Sequence, residues 1–391
     1  MVKITLQQKS ERRVLGGHPW VFSNEIAALE GLCEPGCSCQ IYSAAGKFLG
    51  VGYYNPHTLI AARILSREPA DIDSTTFYHE RIAAALAYRG RLYPELDAYR
   101  IVYGESDRLP GLVIDRYADV ISLQLLSQGM DRRRELIVST LQQLLEPVAI
   151  VARNDAGVRE LEGLPRQVEL LAGQLPEQLI IGENGFKFKV DIMGGQKTGA
   201  FLDQKENHRA LQGRVAGRRV LDLFCYSGSW SIHAAGYGAA TVTGCDISPA
   251  AITLAKENAH LNQVESICNF QSADAFELLK QFQRERQRFD AIILDPPAFV
   301  KSKKKLAEAV RGYLTINRRA LELLEPGGYI FTCSCSYHLG RELFLDTLRK
   351  AAEQAGRQLR LVEVRGQAYD HPVLLACPET DYLKCIVLQA V

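Results

Sequence analysis

The sequence predicts an α/β protein in which a small β-rich module and an α+β middle segment precede a domain built on a mostly parallel sheet. Three observations carry this. Residues 1–72 hold short β-like runs, HPWVFSNEI, CQIYSAAGKFLGVGYYNP and IAARILS, separated by Gly, Pro and Asn, the punctuation of a small barrel-like unit. Residues 73–185 place a helix-periodic segment, Thr75 to about Leu92, before the alternating runs YRIVYGE, GLVIDRYADVISLQLL and VAIVARND, with a second helical segment from Arg132 to Leu145. Over residues 186–391 strands and helices alternate at the spacing of a βαβ series, which calls for a sheet covered on both faces.

A length of 391 residues exceeds one core of the usual size, so two or three domains are expected. With 47% apolar and 23% charged residues the composition is that of an ordinary soluble globular protein. The start, MVKITLQQKSERRV, lacks the apolar run of a signal peptide, and no stretch approaches the roughly 20 apolar residues that span a bilayer. A cytoplasmic protein with no membrane partner is expected. In that compartment the ten cysteines should be reduced and serve packing, metal binding or catalysis. CEPGCSC gathers Cys33, Cys37 and Cys39 but shows no obvious fourth ligand nearby, and no metal is assigned. The net charge of +1 carries no global signature of nucleic-acid binding, so any such binding rests on local patches.

The stretch RRVLDLFCYSGSWSIHAAGYG reads as strand, Gly-containing turn and helix, a turn that turns backbone N–H groups toward a ligand at the carboxyl end of a strand. Acids follow at later strand ends: Asp246 in VTGCDIS, Asp274 in QSADAF and Asp295 in IILDPPAF. An acid some 20 residues beyond such a turn is placed for ribose hydroxyls. Turn-forming aspartates account for any one of these residues and poorly for the ordered set. Dinucleotide binding is the obvious competitor, and the strict GxGxxG spacing it needs is absent.

In this order and spacing VLDLFCYSG, GCDIS, SADAF and LDPPAF resemble the motifs of class I S-adenosylmethionine-dependent methyltransferases. KTGAFLDQKENH, AVRGYLTINRRALELLEPGGYIFTCSCS and DHPVLLACPETDYLKCIVL narrow the likeness to the ribosomal large-subunit methyltransferase I family, which makes 5-methylcytosine in 23S rRNA. LGGHPWVFSNEI resembles the opening of that family's PUA domain. The resemblance implies a Rossmann-like catalytic domain after a PUA-like domain, with S-adenosylmethionine as cofactor. It puts Asp222, Phe224, Tyr226, Ser227 and Gly228 on the methionine side, Asp246 with Ile247 at the ribose, and Asp274 with Ala275 at the adenine. Lys197, Thr198, Phe201, Asp203 and Gln204 would close over the cofactor, with Asp295 and Pro296 completing the wall.

Carbon 5 of cytosine is too weak a nucleophile to take a methyl group unaided, and a thiolate adding to carbon 6 turns the ring into an enamine-like species that can. FTCSCSYHL offers Cys333 and Cys335 after a strand, and alternation points both the same way. The resemblance favours Cys335, in Ser-Cys-Ser; many other RNA cytosine methyltransferases carry Thr-Cys-Ser, which here is Cys333. Asp295, held by Pro296–Pro297, is the candidate acid at the base edge. Ala298 stands where those enzymes often carry a second cysteine, leaving the elimination base unassigned and opening a rival, methylation of an exocyclic amine of guanine or adenine, that needs no thiol. A non-catalytic RNA-binding assembly protein is the alternative from another class.

For RNA contact, Lys301, Lys303, Lys304 and Lys305 follow the catalytic turn, and Arg12, Arg13, His18 and Trp20 form a basic and aromatic set near the N-terminus. A Trp20 that only plugs the barrel is an equal alternative. Expected partners are 23S rRNA and, as one option, a second copy in a homodimer.

Overall fold

Seven runs of the C-terminal half pair into one sheet in the computed structural model, which describes residues 1–299 and 305–391. In chain order they are β1 (Arg219–Leu223), β2 (Thr241–Asp246), β3 (Cys268–Ser272), β4 (Phe289–Leu294), β5 (Leu324–Ser334), β6 (Leu359–Arg365) and β7 (Lys384–Ala390). The helices α1 (Ser229–Gly236), α2 (Pro249–Leu261), α3 (Ala275–Arg284), α4 (Leu306–Leu323) and α5 (Arg341–Gln354) follow β1 to β5 in turn. Helix starts are written locally. The Ser248 hydroxyl accepts the Ala251 N–H with Pro249 in the first turn of α2, and the Asp274 carboxylate accepts the Phe276 and Glu277 N–H groups to start α3.

The sheet order is β3-β2-β1-β4-β5-β7-β6. Neighbours from β3 to β5 run parallel, and β7 lies antiparallel between β5 and β6. Val220, Leu221, Leu223, Ile292, Ile293 and Leu294 are all buried, as expected of central parallel strands packed on both faces. The chain winds outward from β1 to β3 and then crosses back to β4 and β5. Ligands of such sheets bind outside the carboxyl ends where the order reverses. Asp222 in β1 and Asp295, the residue after β4, flank that point.

The chain forms two compact units. This sheet belongs to the unit made of Gly182–Lys189, Asp203–Ala368 and Asp381–Val391. The other comprises Met1–Ile181, Val190–Leu202 and Tyr369–Thr380. It holds a six-stranded sheet, in the order Trp20–Val21, Ala62–Ser66, Phe48–Tyr54, Cys37–Tyr42, Val2–Leu6 and Ile26–Glu30, and a five-stranded sheet of Ala98–Tyr103, Leu112–Tyr117, Val120–Leu125, Ala149–Asn154 and Gln167–Gly173. The first helix of its middle segment runs Thr75–Leu92, capped by Ser74, and the second starts at Arg134 rather than Arg132. The late segment Tyr369–Thr380 is fastened by buried polar groups. Arg89 donates to the Asp370 carbonyl at 2.8 Å, the Arg100 N–H to Asp370 Oδ2 at 2.9 Å, and the Tyr103 hydroxyl to the Thr380 carbonyl at 2.8 Å.

Cysteine use departs in one place from a fully reduced chain. Cys33 and Cys37 form a disulfide, their Cα atoms 6.0 Å apart across the turn that Gly36 makes at φ +85°, while Cys39 is buried in the adjoining core. Among the described residues no helix is long and apolar enough to cross a membrane.

Gly244 lies opposite Asp222 in register, and a Cβ there would sit 2.5 Å from the Phe270 ring and 3.1 Å from Ser231 Oγ. Gly244→Ala should therefore cost about 1–3 kcal/mol of stability. A thermal unfolding midpoint equal to the wild type's would show that Phe270 swings aside freely.

Candidate active site

The loop leaving β1 is held in a backbone conformation that side chains rarely accept: Phe224, Tyr226 and Gly228 have φ of +66°, +47° and +81°. Such outliers cost of order 1–3 kcal/mol each for non-glycine residues and persist only where their surroundings enforce them. Here the Cys225 N–H reaches the Cys245 carbonyl at 2.9 Å and the Tyr226 N–H reaches Asp246 Oδ2 at 3.0 Å. Gly228 is required twice over, by its φ and because a Cβ would lie 3.1 Å from both Ala255 and the Phe270 ring. Ser227, within the loop, is buried.

Four acids stand at or near the carboxyl edge. Asp222 is fully buried; Oδ2 accepts the Ser231 hydroxyl at 2.6 Å, while Oδ1 has no hydrogen-bond partner among the described residues. Burial, with the charge of Asp295 adding to it, pushes the Asp222 carboxyl up to about 7. Asp246 is half-buried and also accepts the Ser248 N–H through Oδ1 at 2.9 Å, which leaves lone pairs for a diol. Beside it Ile247 is 71% exposed, an apolar surface at the mouth of a polar site. Asp274 is exposed and caps α3 through Oδ1, with Ala275 buried behind it.

Asp295 is held by two donors on one oxygen: Gln204 Nε2 at 2.8 Å and Trp230 Nε1 at 3.1 Å from Oδ2. Gln204 is itself fixed by Asn207, whose amide donates to Oε1 at 2.6 Å. Pro296 is buried, and Phe299 packs on Tyr313 with ring centroids 4.7 Å apart. The Tyr313 hydroxyl takes the Ser334 hydroxyl hydrogen bond at 3.0 Å and lies 3.3 Å from Ser336 Oγ. The turn after β4 and the end of β5 are thus joined through one ring. The two thiols differ sharply. Cys333 is fully buried opposite Cys385, and burial, then the neighbouring Cys385, pushes its thiol well above the ordinary range. Cys335 lies just past the end of β5 and is half-buried, whereas every other free cysteine is buried.

Of the expected closing stretch, Asp203 and Gln204 belong to the same unit as these acids, and Asp203 Oδ2 accepts the Tyr382 hydroxyl at 2.5 Å. Lys197, Thr198 and Phe201 belong to the other unit, where Thr198 is buried between Asp115 (2.5 Å) and Tyr117 (3.0 Å) and Lys197 Nζ sits 4.4 Å from the centre of the Phe201 ring. Three side chains of the N-terminal basic and aromatic set are engaged within their own unit. His18 is 3% exposed, accepts the Trp20 N–H through Nδ1 and lies 3.3 Å from Glu379. Arg13 pairs with Glu25 at 2.8 Å over the Phe22 ring, and Trp20 donates to Glu105 at 2.9 Å. These three spend their polar groups on bracing their own unit, and Arg12 remains exposed. Lys305 is exposed just before α4; Lys301, Lys303 and Lys304 lie outside the described residues.

Sequence reasoning missed the Trp230 donor, Tyr313, and a buried group of Glu183, His208 and His233. Glu183 Oε1 lies 2.5 Å from His208 Nδ1 and 3.6 Å from His233 Nε2. Burial alone raises Glu183, but His208, His233 and Lys205 bring it down, and burial lowers His233 to about 3. His208 packs edge-on against Trp230, centroids 4.7 Å apart, so this group backs the donor to Asp295. The one available signal was a pair of histidines in otherwise buried runs.

The family model for S-adenosylmethionine-dependent methyltransferases matches residues 107–373, and that for a PUA-like domain matches residues 4–67. Over 99% of each chain the sequence is 41% identical to a Tolumonas auensis protein named Ribosomal RNA large subunit methyltransferase I. It is 40% identical, over 98% of each chain, to the Serratia proteamaculans protein of the same name. A Streptococcus mutans structure assigned to the SAM-dependent methyltransferases superposes over 100% of both chains with TM-score 0.85 and 23% identity. SMU.776, solved in complex with SAH, does so with TM-score 0.86 and 23% identity. At that identity the structures speak for the fold.

The buried Asp222 gives a pH prediction. Its folded-state value lies above the ordinary carboxylate value near 4, so its contribution to stability is complete below about pH 4 and is lost as pH rises through about 7. Wild-type unfolding free energy should fall by about 2–4 kcal/mol relative to Asp222→Asn across that span. Parallel urea-unfolding curves for the two proteins from pH 5 to 8 would show instead that Asp222 is ionised in the folded chain.

Proposed function

This chain belongs to the ribosomal RNA large subunit methyltransferase I family, and from that membership we propose that it methylates carbon 5 of a cytosine in 23S rRNA through a covalent adduct on Cys335. It is an S-adenosylmethionine-dependent rRNA methyltransferase carrying a PUA-like domain. The observation that carries the finer reading is the contrast at the end of β5, where Cys333 is sealed in the interior opposite Cys385 while Cys335 emerges half-buried past the strand end.

The residues at the carboxyl edge fit the cofactor. Asp246 with Ile247 would bind the ribose, and Asp274 with Ala275 the adenine, the Asp274 carboxylate taking its amine. The strained Phe224–Gly228 loop and the buried acid Asp222 would hold the methionine side. Asp203, Gln204 and Pro296 of the same unit complete the proposed set. When bound, S-adenosylmethionine supplies an electrophilic methyl group. Cys335 loses its proton and its sulfur adds to carbon 6 of the base, the carbon 5–carbon 6 pair moving into the ring as Asp295 protonates the base edge. Carbon 5 then carries the nucleophilic electron pair. After methylation the carbon 5 proton passes to solvent, its bonding pair re-forms the carbon 5–carbon 6 double bond as the Cys335 thiolate leaves, and the base edge returns its proton to Asp295. Gln204 and Trp230 fix Asp295 for its part by donating to Oδ2.

The remaining assignments belong to the same proposal. Residues 1–72 recruit RNA, 73–185 form a middle domain and 186–391 carry catalysis, with Arg12 and the lysines 301, 303, 304 and 305 as phosphate contacts. The protein works in the cytoplasm, and a homodimer is one form in which it does so. A cytosine must leave its stack to expose carbon 6, which favours a loop or unfolded rRNA segment.

RNA carrying 5-fluorocytosine at the target should trap a covalent adduct, since fluorine blocks the final elimination. Cys335→Ala should abolish adduct and turnover, and Cys333→Ala should keep most of both. Loss of the adduct in Cys333→Ala alone would move the nucleophile to that position, and full methylation by the double variant would favour transfer to an exocyclic amine. Independently, Asp246→Ala should weaken S-adenosylmethionine binding about ten- to a hundredfold, the loss of hydrogen bonds to a charged group. Unchanged affinity by titration calorimetry would place the ribose elsewhere.

A further inference from the structure

One buried amine beside the site has no part in the chemistry above. β7 opens on Lys384, which stands opposite Ser334 in the ladder with β5. The residue is 4% exposed, in a run where Leu383, Cys385, Ile386 and Val387 are all buried. An ammonium taken out of water requires oxygen partners. Nζ donates to the Ser336 carbonyl at 2.7 Å and to the Tyr382 carbonyl at 2.8 Å.

Those bonds fix the chain on both sides of Cys335. Ser334 is held by its pairing with Lys384 and by its hydroxyl on Tyr313 at 3.0 Å. Ser336 is held by Nζ and by its own N–H on Ser334 Oγ at 3.3 Å. Two neutral carbonyls satisfy the geometry of the amine without cancelling its charge. The charged and titratable groups that face it are Asp381 on the approach to β7, Arg341 at the start of α5 and Cys335; Tyr313 of α4 also faces Cys335. Burial lowers Lys384 to about 8, Asp381 and Cys335 favour its charged form, and Arg341 opposes it. Cys335 is the one ionisable group in that set that also belongs to the reaction.

We propose that Lys384 is a positioning residue for methyl transfer: it clamps the Ser334–Ser336 backbone that presents Cys335 and supplies the positive charge beside which the Cys335 thiolate forms. This rests on the reading of Cys335 as the nucleophile. The thiol proton goes to solvent, the S–H electron pair stays on sulfur, and Lys384 keeps its three protons. A cation beside a thiol favours the thiolate, so the amine raises the fraction of Cys335 ready to add at neutral pH. A residue needed only to hold the two carbonyls would act equally well without charge.

The test reads the pH dependence of Cys335 alkylation by iodoacetamide in the full-length protein without RNA, with Cys335→Ser setting the background. Site selectivity comes from the burial of every other free thiol. Lys384→Gln, which still donates to carbonyls, should raise the alkylation midpoint by about one pH unit or more and slow alkylation about tenfold at pH 7. Lys384→Arg should keep the wild-type midpoint. An unmoved midpoint in folded Lys384→Gln overturns the proposal. Should that variant fail to fold, Lys384→Arg decides alone, and a midpoint raised to that of a free cysteine overturns it. A wild-type 5-fluorocytosine adduct together with an unmoved midpoint rejects Lys384 only, whereas no adduct in the wild type rejects the nucleophile and the role of Lys384 with it.

Discussion

The reversal of strand order between β1 and β4 is the constraint from which the site follows. Parallel strands need crossovers, and when successive crossovers leave β1 toward opposite edges of the sheet, no connection covers the carboxyl ends at the point of divergence. Asp222 and Asp295 end up flanking that gap, close enough for each to feel the other's charge. The protein treats the two acids differently. Asp222 is sealed in with one hydroxyl donor, and its neutral form is favoured; Asp295 is half-exposed and receives two N–H donors on a single oxygen. Hydrogen bonding to the charged form and burial act in opposite directions on a carboxylate. One sheet edge thereby holds two acids side by side in opposite surroundings.

The neighbouring strand end repeats the contrast with sulfur. β5 remains in its ladder with β7 through Ser334, so Cys333 is committed to the interior against Cys385. Pairing stops there, and Cys335 escapes the alternation that would otherwise bury it. Tyr313 joins this end to the turn after β4, which makes the separation of acid and thiol depend on the seating of one aromatic side chain rather than on two loops moving independently.

Much of this was legible in the sequence. Central parallel strands are apolar on both faces, so VLDLF and AIILD stand out as runs, and an acid at the end of such a run marks a strand's carboxyl end. Asp246, Asp274 and Asp295 stand out that way, whereas Asp222 and the preference for Cys335 over Cys333 rest on the family resemblance. Their partners were not legible, because those come from afar: Gln204 is 91 residues from Asp295 and Trp230 is 65. The partners of Arg13, His18 and Trp20 were equally hidden, because nothing nearby in the sequence announces that Glu25, Glu379 and Glu105 will pair with their polar groups. Lys384 carried a signal that went unused, a lysine inside an apolar strand run.

The fastening of Tyr369–Thr380 into the N-terminal unit bears on the life of the chain before it is an enzyme. The Arg89 and Arg100 contacts to Asp370 close loops of 281 and 270 residues, and that of His18 to Glu379 closes one of 361. On a ribosome that emits the N-terminus first, the first unit waits for a segment 270 to 281 residues downstream of its own arginines before these hydrogen bonds can form. Its Arg89 guanidinium, fully buried in the folded protein, is without its Asp370 partner until the residues between them have been made. The first unit therefore reaches its final form only once a segment 281 residues beyond Arg89 has joined it, however early its own strands have paired.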